Sequence, residues 1–286
     1  MKRRFLFPLT LFMLAVLAGC ETPTPEEPEA LPDKSPAEAV FLPEPRRLEP
    51  LSAPAVVTEG RAPAENYDLP SSITDPRYNP EGWIHGGVVG FLAEAPEADA
   101  AFYAVPYQAN GESPALIRWG NSLAEFDWSF LTPRTILPRM KCFDVDGDRE
   151  DELIVICYIG SGTGVSIEEL HILEKGPDGT LTAYTFPTCL WQEQLPALFA
   201  TAEPGGRAFA ILGHELVELQ DGNLDLDTAS SGLIAGFSIE EWGGLRFQGA
   251  FCMSHKGSAA PCYVAETSAG ILYRDGMFTL TQIHLS

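Results

Sequence analysis

Positive charge is what this chain has least of: 18 Lys and Arg stand against 40 Asp and Glu, a formal charge of -22 over 286 residues. A surface of that sign repels phosphodiester backbones and anionic headgroups, which argues against nucleic-acid binding and electrostatic docking to a membrane. It favours divalent cations and basic partners. Histidine is also scarce, with 5 residues scattered along the chain. His214-Glu215 begins like a zincin helix, but Glu218 stands where the second histidine belongs. No serine has glycines at both second-flanking positions, so a nucleophile elbow is absent. Gly160-Ser-Gly-Thr-Gly164 precedes a strand-like run, with neither Rossmann nor Walker spacing, and reads as a wide turn. Beyond Leu17 no apolar run approaches the ~20 residues that span a bilayer.

Cysteine is sparse and its count is informative. After Cys20 there remain Cys142, Cys157, Cys189, Cys252 and Cys262, an odd set that cannot pair completely within the chain. Cys252 and Cys262 flank a turn-like Lys256 to Pro261, so a disulfide between them is one reading, worth roughly 2 to 3 kcal/mol in the chain-entropy model. Zinc ligation by Cys252, His255 and Cys262 is another. Cys142 and Cys157 sit in apolar runs, where buried thiols are the default.

What is present falls into three parts. Residues 1–19 have a basic start, Lys2-Arg3-Arg4, then the apolar run Phe5 to Leu17, then small residues before a break, the layout of a secretory signal. From Glu21 to Glu65 there are 10 prolines in 45 residues, mixed with Glu, Ala and Thr. Such a stretch cannot bury enough apolar surface to offset chain entropy, so residues 20–65 are expected to be an extended tether. Residues 66–286 read as one mainly β globular domain.

Within that domain Ala115 to Trp119 and Leu123 to Trp128 form a hairpin signal around Gly120-Asn121. The unbroken apolar run Leu153 to Ile159 predicts a strand buried on both faces. Val165 to Leu173 and Leu181 to Phe186 predict a hairpin across Gly176 to Gly179, with a bulge at Glu168 and Glu169. Thr188 to Ala202 carries the best helical period, which Pro196 is expected to split into two turns or to restart as a second helix. Asp178-Gly179, Asp221-Gly222 and Asp275-Gly276 recur at spacings of 43 and 54, the size of a propeller blade. The fold class expected is therefore mainly β, with propeller-like or blade-like antiparallel sheets and one short helical segment. A β-sandwich or α+β domain is the alternative.

The stretch that suggests chemistry is Asp144-Val-Asp-Gly-Asp-Arg-Glu-Asp-Glu152, between two strand-like runs. Asp144, Asp146, Asp148 and Glu152 occupy positions 1, 3, 5 and 9, with the Glu150 carbonyl at position 7. Alternating oxygens on a tight loop converge, and four anions so placed repel unless a hard cation sits among them. An EF-hand is excluded, since its position 12 falls on Val155 and the flanks are strands. A solvated acidic hairpin without an ion is the alternative.

Two resemblances follow from these residues. Leu17-Ala18-Gly19-Cys20 resembles the lipobox of bacterial lipoproteins, which implies cleavage after Gly19, diacylglyceryl transfer to Cys20 and an extracytoplasmic protein held to the membrane by acyl chains. Asp144 to Leu153 resembles the calcium loop of FG-GAP and VCBS-type repeats, over about 20 residues. It departs at Arg149, where that family has Gly. Together they imply a lipid-anchored module with a structural calcium ion, binding a protein or glycan ligand. An extracytoplasmic hydrolase acting on polysaccharide or peptidoglycan is the alternative.

Overall fold

The computed structural model describes residues 49–70, 89–105, 114–132, 136–202, 208–212, 215–219, 224–241, 243–255 and 262–285. Cys20, Trp83, His214, Asp221-Gly222 and Trp242 lie outside them. The fold is mainly β, built of antiparallel sheets with one short helical segment. No helix among the described residues is long and apolar enough to cross a membrane.

Strands β1 (Leu51–Pro54) and β2 (Val56–Glu59) precede a four-stranded meander: β3 (Gly90–Ala95), β4 (Ala100–Ala104), β5 (Ala115–Trp119) and β6 (Ser122–Phe126). The β5–β6 hairpin turns at Gly120, whose φ of 58° is the left-handed conformation its position demanded. Then come β7 (Arg139–Phe143), β8 (Glu152–Gly162), β9 (Val165–Lys175) and β10 (Leu181–Thr185). A separate three-stranded sheet holds β11 (Phe199–Ala202), β12 (Ala208–Leu212) and β13 (Glu215–Leu219). The chain closes with β14 (Leu224–Ile239), β15 (Leu245–His255), β16 (Cys262–Arg274) and β17 (Met277–Leu285).

The ten-stranded sheet runs β1-β17-β16-β15-β14-β9-β10-β2, with β8 beside β9 and β7 beside β8. Its two ends, β1 and β2, are consecutive in the chain with Ala55 alone between them, so the sheet folds back on itself. At that step Ala55 N–H donates to the Gly276 carbonyl and Gly60 N–H to the Leu181 carbonyl. The tether expected to reach residue 65 therefore gives way to strand at Leu51. Two four-residue pieces at sheet margins tolerate proline, and Pro54 sits at the end of one of them.

Strands β8 and β9 are buried on both faces, as the run Leu153 to Ile159 implied. Ile154, Ile156, Leu170 and Ile172 point into a core shared with Phe186, Phe237, Phe247, Tyr273 and Phe278. Leu153, Val155, Cys157 and Leu173 point the other way, against Phe102, Ile117 and Phe126 of the four-stranded sheet and Trp128 just after it. Alternation along one strand thus joins three layers. Trp119, Trp128 and Trp191 are core residues. So is His171, stacked on Trp128 at 3.9 Å, with Nδ1 bonded to Thr185 Oγ1 and Nε2 lying 3.2 Å from Glu169 Oε2 without a hydrogen-bonding angle.

Three local expectations change. The bulge lies in β8, between Tyr158 and Gly160, rather than at Glu168 and Glu169. Gly160 and Gly162 belong to β8, and the turn into β9 is short, with Gly164 at a φ of 72° and its carbonyl held by the Tyr263 hydroxyl. The helix over Thr188 to Ala202 shrinks to a wide turn at Leu190–Gln194 and a 3-10 turn at Pro196–Leu198 before β11 begins. Leu195 N–H reaches back to the Leu190 carbonyl, and Pro196 has no N–H to continue the ladder. Leu190, Trp191 and Leu195 still face the core, which is what the period recorded.

Candidate metal centre

Pairing of β7 with β8 ends at Phe143 against Glu152, so residues 144–151 form the closing loop. Each carboxylate first satisfies the loop's own backbone. Asp144 accepts from Gly147 N–H at 2.7 Å and Arg149 N–H at 3.0 Å; Asp146 accepts from Asp148 N–H, and Asp148 from Glu150 N–H. Glu152 accepts from Val145 N–H at 2.8 Å. Gly147 takes a φ of 87° and Arg149 one of 82°. For arginine the left-handed region costs about 1 kcal/mol, so the backbone adopts the path for which glycine would be native.

Carboxylate oxygens of Asp144, Asp146 and Glu152 lie within 4.8 Å of one another. The Asp148 carboxylate does not join that cluster and turns to the Glu150 amide instead. Glu152 is 3 % exposed, whereas Asp144 is open to solvent. Burial pushes the Glu152 carboxyl up to about 7, the Val145 amide opposes this, and the negative charges of Asp146, Asp148 and Asp144 add to the rise. Three convergent oxygens on a backbone-braced loop fit a hard cation, which takes about six to eight oxygen ligands including carbonyls and water.

The loop borders a groove of about 650 Å³ that sequence reading missed. Its far side comes from Glu174, Lys175, Tyr184 and the Asp275-Gly276 turn. Tyr273 O–H donates to Glu174 at 2.6 Å, and Arg274 reaches the Asp146 carbonyl at 3.3 Å. The signal available was strand register: Leu153 against Leu173 sets Glu174 alongside Glu152. Lys175 lies over the Trp119 ring at 5.6 Å, so its charge is committed to that corner.

Of the cysteines, Cys142, Cys157 and Cys189 stand as thiols. The register sets Cys252 against Tyr263 and Cys262 against Met253, so Cys252 and Cys262 are not direct cross-strand partners. The side chains of His255 and Cys262 lie outside the described residues.

No protein-family model, curated protein or solved structure matches this chain.

Proposed function

We propose that the chain is an extracytoplasmic bacterial lipoprotein, anchored through Cys20, whose β domain carries a structural calcium ion and serves as a binding module. The observation that supports the metal is the convergence of Asp144, Asp146 and Glu152 on a loop whose amides already hold the carboxylates in place. A cation there would relieve the repulsion among them and tie β7 to β8 at the end of the central strand pair. Weak binding fits the geometry, because three carboxylates converge rather than four and Arg149 brings a positive charge into the loop. The expected range is that of extracellular modules, ~0.1 to 1 mM.

The anchor is supported by Leu17-Ala18-Gly19-Cys20 following a basic and then an apolar segment. The ligand of the module is a protein or glycan outside the cell. Calorimetric titration of the protein with calcium tests the metal; no heat up to ~10 mM, ten times the weakest expected constant, removes it. For the anchor, metabolic palmitate labelling should mark the wild type and fractionation should place it with membranes. Cys20→Ser should lose both, and membrane retention of that variant would overturn the lipid attachment.

A further inference from the structure

We infer that the groove on the outer face of β14, β15 and β16 is an oligosaccharide site taking a neutral glycan, an assignment that rests on reading the chain as a binding module. This groove measures about 650 Å³. Register puts Gly236, Gln248 and Ser268 in one cross-strand row and Ala250 with Glu266 in the next. Phe237, Phe247 and Ala269 face the core, so the first row faces outward. Gly236 and Ala250 put only small groups on that face, and the Glu168 carboxylate lies over Gly236, 3.6 Å from where a Cβ would stand.

One wall is held by β7 and β9 of the same sheet. Arg139 Nη2 bonds Glu168 Oε2 at 2.7 Å and the Phe237 carbonyl at 2.8 Å, while Glu168 Oε2 accepts the Phe237 N–H at 2.8 Å. Those bonds use Nη2, leaving the Nε–H and Nη1–H donors of Arg139 to spare among the described residues. The two charges cancel, so Glu266 is the uncompensated one of this groove. Around the metal loop, by contrast, the lining holds seven carboxylates and one lysine.

The lining chemistry selects the ligand. Serine hydroxyls and the Gln248 amide both donate and accept, as sugar hydroxyls require of their partners. A polyanion meets a chain of charge -22, and a basic peptide finds better complementarity beside the metal loop. An apolar ligand finds Ile234 as the one large aliphatic side chain of the lining that is not buried.

Saturation-transfer NMR on the full chain, with cellotetraose, chitotetraose and tetragalacturonate as probes, tests the assignment. Transfer to at least one neutral probe is expected, with none to tetragalacturonate. Gln248→Ala should weaken binding about three- to tenfold, the effect of one neutral hydrogen bond. Ser268→Trp should block it, with unchanged melting confirming that both variants fold. No transfer from either neutral probe at ~10 mM, equal binding by both variants, or preference for tetragalacturonate would each overturn it. Calcium heat without sugar transfer defeats this inference alone. Sugar transfer without calcium heat defeats only the metal reading.

Discussion

Replacing Glu152 by Gln should stabilise the protein in chelator and destabilise it in calcium, and this reversal separates a cation site from an acidic hairpin. Glu152 is buried beside three aspartates, and its carboxyl is raised from the ordinary 4.5 to about 7. That displacement corresponds to about 3 kcal/mol at full strength, which water reaching the loop reduces to about 1 to 2 kcal/mol. The sign follows from linkage. Between pH 4.5 and 7 the folded chain keeps a proton that the unfolded chain has lost, so stability falls as pH rises through that window and levels off above it.

Gln cannot ionise and still offers an oxygen to Val145 N–H. At pH 8 with chelator, Glu152→Gln should therefore melt roughly 2 to 8 °C above wild type, given about 2 to 4 °C per kcal/mol for a domain of this size. Calcium at ~10 mM should stabilise wild type by about 1.4 to 2.7 kcal/mol if its constant is ~1 to 0.1 mM, and the variant far less. Scanning calorimetry of both proteins in both buffers, at pH 5, 6, 7 and 8, reads these effects. A variant that melts below wild type in chelator refutes the electrostatic argument. Equal calcium shifts in the two proteins refute the ligand role of Glu152.

Glu125 is buried and accepts from Arg61 Nε, Ala64 N–H and Tyr67 O–H, so Glu125→Ala should cost about 2 to 4 kcal/mol in denaturant unfolding; a loss below ~0.5 kcal/mol would deny that this network pins residues 61–67. Burial, then the Glu125 bond and charge, push the Tyr67 phenol up to about 12, so stability should fall as pH rises from 10 to 12, followed by tyrosinate absorbance. Gly60→Ala places a Cβ 2.7 Å from both Ala124 Cβ and Phe126 Cζ, and should cost about 1 to 3 kcal/mol; neutrality would show that this crossing gives way. Burial pushes the Cys142 thiol up to about 11 and raises Cys157 further, so iodoacetamide at pH 8 should spare both until denaturant is added, as mass spectrometry would reveal.

Much of the acidic loop was legible in the chain because its geometry is local. Alternating Asp144, Asp146 and Asp148, the Gly147 between them and a carboxylate at 152 fix a tight turn whose amides and carboxylates satisfy each other within seven residues. The left-handed φ of Arg149 follows from its place in that pattern. The Asp275-Gly276 turn and the doubly buried β8 were readable for the same reason, since period and turn chemistry act over a few residues. The apolar period over Thr188 to Ala202 and the break at Pro196 were legible too, and the structure has two turns there, Leu190–Gln194 and Pro196–Leu198; that β11 already begins at Phe199 was not, because it rests on pairing with β12.

What tertiary structure decided is which distant segments meet. Nothing in Leu51 to Glu59 announces that one short stretch will join the two ends of a ten-stranded sheet, because the partners that give it a place are β17 and β10, more than a hundred residues away. The meeting of Glu152 with Glu174, like that of Arg139 with Glu168 and Phe237, depends on which distant strands pair and in what register. The sequence by itself determined the sign of the surface, the β character and the loop that gathers its own carboxylates. Only packing across the layers buried Glu152 and raised its carboxyl, since desolvation depends on everything that surrounds a group rather than on its neighbours in the chain.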